Sequence, residues 1–488
     1  MQLNFSVNSI FIKYELNLFI MNSFRTFISC FFLLFSSSFY ATDLVVNSSG
    51  QSGTYTTLSA ALTAAASSGD RILIPSTITL IEDITINKSI DIMPLTASNN
   101  FFLEGDINIT ATAGLEIRIL GMNFSGDLVC NTGTAAETNR CHLYFIDCTS
   151  SDPNLNELNA DVQGLAFHLL YCTFLESNIK MRFGEIIGSS INTFTVVPGD
   201  GVSYNDTIRI IANKIVADHV NDYTTPSGFS SSRVKYCNFF DNQDHYYFIS
   251  NNFFDNVGYT TLTIFNDLNS GSGSNRISNN TFYIDPYATS SYAAYGTAIS
   301  IHTATNYSRA NTSIINNIFY SRYGSSYSST SQAFIGTGTS SIPTGASPLI
   351  KYNIFGGLRN ACPGSTGNSC FIGNQIFNSP NITVQGYLSD PNNYDYQSQI
   401  YTHCTASFDI TNGKALTGFI IDAGKNEINS FDLDMTRNDL GTYGGPYSME
   451  NYWDSTAAGK ARIYHLDMPF EIWSGQTPTI KASAVHTK

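Results

Sequence analysis

The chain has 488 residues, of which 13% are charged and 13% are aromatic. Its charged fraction is about half that of an average soluble protein, and its aromatic content excludes a disordered chain. The net charge of −14 repels phosphate backbones, so we expect no nucleic-acid partner.

Residues 1–41 have the pattern of a targeting segment. Arg25 precedes the apolar run 27–35, and small residues follow up to Ala41. This order is typical of a secretory signal peptide, with Met21 as an alternative start. Beyond it, no run of about 18 apolar residues predicts a membrane span. We therefore expect a secreted or cell-surface protein.

One helix is expected near the start of the remaining chain. In the segment 55–66, apolar side chains fall on one helical face, namely Leu58, Ala61, Leu62 and Ala65. A single short helix ahead of a stack of β coils is typical of a solenoid cap, which covers the otherwise open end of the core.

Eight cysteines follow residue 41, and an even number in an exported chain permits disulfides. A bond between Cys130 and Cys141, or between Cys362 and Cys370, would close a short polar loop. No pair has the C-x-x-C spacing, so the sequence does not support a structural zinc site.

A repeat runs through the middle of the chain. Its fragments share an apolar anchor two residues after Asn, Cys or Gln: YCTF, INTF, ANKI, YCNF, NNFF, NNTF, NNIF, YNIF and NQIF. The anchors are 20, 21, 24, 15, 28, 37, 36 and 22 residues apart. Three short strands with their turns need roughly 20 to 30 residues, so most intervals fit one solenoid coil. The interval of 15 is too short, which leaves either an abbreviated coil or a wrong register there.

These features together resemble the right-handed parallel β-helix proteins of the pectin-lyase-like superfamily. The segment 43–92 is similar to the opening of that group, the N-N-x-F pieces to its coils, and 420–446 to its closing segment. The resemblance implies an all-β fold with one β-helix over 42–447. A short β extension would follow at 448–488, and its runs ARIYHL and TIKASAV predict two strands. We expect a monomer.

The resemblance also implies that the residue two before each anchor forms an internal ladder at a turn. In such a ladder each side-chain amide bonds the next one, about 4.8 Å away. Cys148 and Cys172 would then lie on adjacent coils, either stacked or disulfide-bonded. The expected members are Cys172, Asn192, Asn213, Cys237, Asn252, Asn280, Asn317, Asn353 and Gln375.

Candidate site residues concentrate in 204–256. The catalytic candidates are Asp218, His219, Lys235, Asp241, Asp244 and His245. Asp218, Asp241 and Asp244 are also candidate calcium ligands, and Arg233 with Lys235 would neutralise an acidic sugar. The alternative is that these polar runs are solvated turns.

Two further groups have structural interpretations. His168 and His302 lie in apolar runs, which favours packed or turn positions over metal ligation. The motif FDLDMTRNDLG at 431–441 has several acidic side chains but lacks the spacing of a calcium loop, so a network of turns is expected there.

Two classes of function remain open. The first is a β-helix that binds an extracellular polysaccharide or cell-envelope glycan, or builds the envelope, without catalysis. The second is a polysaccharide lyase or glycoside hydrolase acting on an extracellular, possibly acidic, polysaccharide. The Asn-Thr-Asp, Gly-His-Gly and Arg-Ile-Lys patterns of the polygalacturonase type are absent, which argues against that one subclass. The first class is favoured because no catalytic constellation stands out in the sequence.

Overall fold

A computed structural model gives the structure of the chain. It describes residues 42–65, 69–96, 100–150, 157–197, 207–216, 237–239, 246–256, 260–265, 275–284, 297–302, 312–321, 335–337, 349–357, 394–395, 408–409, 414–415, 421–422, 424–426, 430–432, 434–453, 461–467 and 481–486.

Most strands in these ranges belong to two large sheets, numbered β1 to β36 along the chain. The first sheet has 12 strands, and each pairs in parallel with its neighbours. They are β1 (Asp43–Val45), β2 (Arg71–Ile74), β5 (Ile90–Pro94), β8 (Glu116–Leu120), β11 (Cys141–Ile146), β14 (Leu165–Leu170), β16 (Phe183–Ile187), β18 (Thr207–Ile211), β21 (Tyr246–Ser250), β24 (Asn275–Ser278), β27 (Thr312–Ile315) and β30 (Leu349–Lys351).

The second sheet has 20 strands in two columns. The second column follows the first sheet along the chain: β3 (Thr79–Ile81), β6 (Phe101–Glu104), β9 (Met122–Ser125), β12 (Thr149–Ser150), β19 (Lys214–Val216), β22 (Phe253–Asn256), β25 (Thr281–Ile284), β28 (Ile318–Ser321), β31 (Ile354–Gly357) and β32 (Tyr394–Asp395). The third column comprises β4 (Ile84–Ile86), β7 (Ile107–Ala111), β10 (Leu128–Thr132), β13 (Glu157–Ala160), β20 (Cys237–Phe239), β23 (Thr260–Phe265), β26 (Thr297–His302) and β29 (Ile335–Thr337). Two long strands, β15 (Thr173–Met181) and β17 (Ser190–Val196), run through both columns.

Each coil therefore takes one strand from the first sheet and then one from each column. This arrangement confirms the predicted all-β parallel β-helix. Side chains alternate along each strand as the pleat requires. In β8, Ile117 and Ile119 are fully buried in the core, while Arg118 between them points outward. Inside the coils, the rings of Phe254, Phe282 and Phe319 stack with centroids 4.6 and 5.0 Å apart.

The helix α1 (Leu58–Ala64) covers the N-terminal coils. The Thr57 hydroxyl caps it by accepting from the Ala60 amide at 3.1 Å, and the Glu82 carboxylate accepts from the Leu58 amide at 2.7 Å. The helix begins three residues later than the sequence pattern suggests, because Tyr55 forms a β-bridge with Val46.

Residues 434–453, the C-terminal strap, lie along the edge between the first sheet and the second column. They include the short helix α2 (Glu450–Trp453). Leu440, Met449 and Tyr452 pack against side chains that point outward from successive coils, such as Ile187 and Ile211. The strap thus buries an apolar edge that the coils alone would leave exposed.

Polar contacts also hold the strap. The side-chain amide of Asn279 donates to Asn438 Oδ1 at 2.7 Å, and Trp453 Nε1 donates to the Ala212 carbonyl at 2.7 Å. Contact with the coils therefore continues past residue 447 to Trp453.

Two antiparallel pairs complete the described strands. β33 (Phe408–Asp409) pairs with β34 (Lys414–Ala415), and β35 (Ala461–Asp467) pairs with β36 (Lys481–His486). Among the described residues, no helix is long and apolar enough to cross a membrane.

Candidate functional site

The candidate residues from 204–256 lie outside the described part of the chain. This holds for Asp218, His219, Arg233, Lys235, Asp241, Asp244 and His245. The proposed calcium ligands and catalytic groups in this segment therefore remain predictions. In the ranges that the structure describes, no three His, Cys, Asp or Glu side chains are placed to hold a metal ion.

The turn between the first sheet and the second column is built from two residues. The first has a left-handed backbone, with φ of 58° at Asn251, 56° at Asn279 and 58° at Asn316. Asn tolerates this conformation better than most residues. The second turn residue points into the solenoid, where Asn252, Asn280 and their equivalents are fully buried.

These buried amides form a hydrogen-bonded ladder. The side-chain nitrogen of each Asn donates to the side-chain oxygen of the next, at distances of 2.9 to 3.0 Å. The same oxygen also accepts from the backbone amide of the preceding member. The ladder satisfies backbone groups that would be costly to bury alone. Its members are Asn213, Asn252, Asn280, Asn317 and Asn353.

Two residues expected in this ladder lie elsewhere, and Gln375 is outside the described ranges. Ser189, not Asn192, occupies the turn position after the left-handed Gly188, and its amide donates to Asn213 Oδ1 at 2.9 Å. Cys237 pairs with Phe194 and Leu262 in the third column. Aromatic anchors occur in both columns of the second sheet. The repeat found in the sequence therefore combined anchors of the second column with anchors of the third. The interval of 15 residues joins an anchor of one column to an anchor of the other.

Cys148 and Cys172 occupy equivalent turn positions on adjacent coils, and both are free thiols. Each Sγ donates to carbonyls, as Cys148 does to Ile119 at 3.3 Å. Cys130 and Cys141 are also free, so the bridge that the sequence permits between them is not formed. These two residues lie on strands of different sheets, β10 and β11. Cys362 and Cys370 lie outside the described ranges.

The acidic residues of the C-terminal motif form a network of turns. The Asp432 carboxylate accepts from the backbone amides of Asp439 and Gly445, the first at 2.9 Å. Asp439 in turn accepts from the Asp422 amide at 2.7 Å. Both carboxylates are therefore hydrogen-bonded to backbone amides, as expected for a network of turns.

A continuous row of chemically active side chains runs along the outside of the first sheet. We call it the outer column, in which each residue is the register partner of the next. Its members are Asp43, Arg71, Asp91, Arg118, Tyr144, His168, Glu185, Arg209, Phe248, Arg276 and Ser313. Register partners in neighbouring strands are about 4.8 Å apart.

The centre of the outer column holds a chain of hydrogen bonds. His168 Nδ1 lies 2.9 Å from Glu185 Oε1, and His168 Nε2 lies 3.1 Å from Nδ1 of His142. The guanidinium of Arg209 lies 3.9 Å from the other Glu185 oxygen. His168 and Glu185 are 8% and 6% exposed although both point away from the core.

The carboxylate sets the tautomers of both histidines. A carboxylate only accepts, so Nδ1 of His168 carries a proton, and when both imidazoles are neutral its Nε2 is the acceptor. In that neutral state Nδ1 of His142 donates, which leaves a lone pair on His142 Nε2. Within the described part of the chain, that atom makes no hydrogen bond.

Neighbouring groups shift the ionisation of this cluster. Burial, with the charge of His168, lowers the pKa of His142, which favours its neutral form. Burial, with the charges of Glu116 and Glu185, raises the pKa of Tyr144 to about 12. The Tyr144 ring stacks on the His168 ring with centroids 4.2 Å apart, and Arg118 lies 6.0 Å from the centroid of the Tyr144 ring.

The sequence pattern does not reveal this site. The apolar run around His168 predicts a packed residue, which agrees with its burial but does not indicate its hydrogen-bond partners. His142 and Glu185 lie 26 residues before and 17 residues after it, and these unequal distances hide their common register. The one available signal was that each alternates with apolar core positions in a β-like run.

No family model, no curated protein and no solved structure matches this chain.

Proposed function

We propose that the protein is a secreted or cell-surface β-helix protein of the pectin-lyase-like superfamily. Its function would be to bind an extracellular polysaccharide or cell-envelope glycan, without catalysis, on the outer column of the first sheet. The parallel coils support the fold-level part of this proposal. The signal-like segment at 21–41 supports export.

The observation that carries the binding proposal is the composition of the outer column. It combines aromatic rings with groups that donate or accept hydrogen bonds, one side chain per coil in continuous register. A polymer chain needs such a periodic row of contacts, and solenoids offer extended faces of this kind. The rings of Tyr144 and Phe248 are partly exposed and each lies beside a guanidinium, of Arg118 and Arg276 respectively.

The charges of the outer column also favour it as the surface that binds a polysaccharide. The whole chain carries −14, whereas the outer column contains three carboxylates and four guanidinium groups. Arg71 lies 2.7 Å from Asp43, and Arg118 lies 3.6 Å from Asp91. Such compensated pairs hold the guanidinium groups in place, yet leave donors for sugar oxygens. The face therefore repels an acidic polymer less than the average surface does.

Binding can be tested with a panel of neutral and acidic polysaccharides, using affinity electrophoresis and then calorimetry on each hit. The double variant Arg118→Ala, Tyr144→Ala should weaken binding by at least about tenfold, because it removes an aromatic contact and a charged donor. Arg182→Ala is the matched control, since Arg182 pairs with Asp161 at 2.7 Å outside the outer column. Equal affinities for the double variant and the wild type would refute the assignment.

The alternative function is a polysaccharide lyase or glycoside hydrolase. The hydrogen-bonded chain from Glu185 through His168 to His142 favours it, because a carboxylate that orients an imidazole is a frequent arrangement in general-base catalysis. Incubation with the same panel discriminates the two functions. New unsaturated ends, seen by ultraviolet absorbance, or new reducing ends would establish catalysis, and neither is expected for a binding protein.

A further inference from the structure

The two histidines of the outer column together have room for one additional proton. In the neutral state, Glu185 accepts from His168 Nδ1 at 2.9 Å, and the His142–His168 hydrogen bond of 3.1 Å contains a single hydrogen. A second proton between the two facing nitrogens would place two N–H groups head to head. That arrangement breaks the hydrogen bond, and a further proton on His142 Nε2 would in addition set two cations side by side.

The additional proton has two possible positions, and both change the same exposed atom. It can bind His142 Nε2 directly. Alternatively, His142 passes its Nδ1 proton to His168, which becomes the cation next to Glu185, while His142 keeps a proton on Nε2. In both cases His142 Nε2 changes from a hydrogen-bond acceptor to a donor.

The groups around the pair come from four strands. Glu116 and Arg118 lie on β8, Tyr144 on β11 beside His142, Glu185 on β16 and Arg209 on β18. Arg140, just before β11, also acts on His142, and it lowers the pKa of that group as His168 does, whereas Glu116 and Glu185 raise it. Cations and carboxylates thus surround the pair in comparable number.

We propose that the His142–His168 pair is a one-proton switch that makes the outer column bind anionic glycans more tightly as the pH falls. The switch rests on the proposed glycan-binding function of this face. In the neutral state, His142 Nε2 accepts from a sugar hydroxyl. In the protonated state, it donates a charge-assisted hydrogen bond to a sulfate or carboxylate, which is stronger than a neutral one.

Dextran sulfate and uncharged dextran are suitable probes, because the sulfate charge does not change between about pH 5 and 8, where histidines titrate. The affinity of the wild type for dextran sulfate should rise by up to about tenfold per pH unit, as expected for uptake of one proton. Its affinity for dextran should not rise. His142→Asn, which retains an amide near the position of Nδ1 and has no group that titrates, should remove the pH dependence. His465→Asn, in β35, controls for the other histidines.

The outcomes separate this inference from the proposed function. Binding of dextran sulfate with the same pH dependence in wild type and His142→Asn would overturn the switch and leave glycan binding in place. No binding of dextran sulfate at any pH would overturn the switch, whereas the proposed glycan-binding function falls only if no polysaccharide of the panel binds. Imidazole NMR tests the switch without a ligand, because Nε2 of His142 should gain a proton as the pH falls through the range in which histidines titrate. A His142 Nε2 that stays unprotonated throughout this range would also overturn the switch.

Discussion

The ladder residue Asn280 offers the sharpest test of what holds the coils together. Its side-chain nitrogen donates to the carbonyls of Ile249 and Ser278 at 3.0 and 3.1 Å and to Asn317 Oδ1 at 3.0 Å. Its oxygen accepts from the backbone and side-chain amides of Asn252, both at 2.9 Å. Asn280→Ala removes all five bonds inside a fully buried turn.

The expected cost follows from these bonds. Each buried bond contributes about 1 kcal/mol net, and an unpaired buried group costs about 1 to 3 kcal/mol. The free energy of unfolding should therefore fall by about 3 to 5 kcal/mol. Ser189→Ala, at the equivalent turn, is the matched control. It loses a bond from the Cys172 amide and one to the Ile187 carbonyl, both at 3.0 Å, which should cost only about 1 to 2 kcal/mol.

Urea unfolding measures the difference, and hydrogen exchange locates it. In Asn280→Ala, the backbone amide of Asn252 loses its acceptor and should exchange faster, while amides of the N-terminal coils should not change. Asn280→Asp retains the size but not the donors, and it should be at least as damaging as the alanine variant. Equal stability of the Asn280 and Ser189 variants, or a harmless Asn280→Asp, would refute the ladder argument.

Two further predictions concern thiols and pH. Burial raises the pKa of Cys172 well above its ordinary value and that of Cys141 to about 11, so these two thiols should resist alkylation in the folded protein at pH 8. Mass spectrometry of an unreduced digest should find Cys148 and Cys172 as free thiols. Burial, with the charge of Asp439, raises the pKa of Asp432 from 3.8 to about 7. Since the folded state then binds more protons than the unfolded state between these values, this group should make stability fall as the pH rises from about 4 to 7, and Asp432→Asn should flatten the decrease in the urea midpoint.

The fold was readable from the sequence because its turn has a strong local signature. In Asn279-Asn280-Thr281-Phe282, the first Asn takes the left-handed turn, the second enters the ladder, and Phe282 joins the aromatic stack. Steric and hydrogen-bonding demands thus fall on adjacent residues and repeat with each coil. Such demands leave a motif that needs no knowledge of the distant partners.

The outer-column site could not be predicted from the sequence, because no local motif marks it. His142, His168 and Glu185 come together only through the register of β11, β14 and β16, which depends on the lengths of the intervening segments. The same ambiguity placed Asn192 and Cys237 in the wrong column. A pattern of anchors indicates that coils exist, whereas the chemistry of a face depends on how each coil is aligned with the next.

The most direct test of the central claim is a crystal structure of the protein with an oligosaccharide of the polymer that binds best in the panel. The sugar chain is expected along the outer column, in contact with the exposed edge of Tyr144 and with polar contacts to Arg118 and His142 Nε2. A well-ordered chain bound on another face, with the outer column free of sugar, would contradict the assignment.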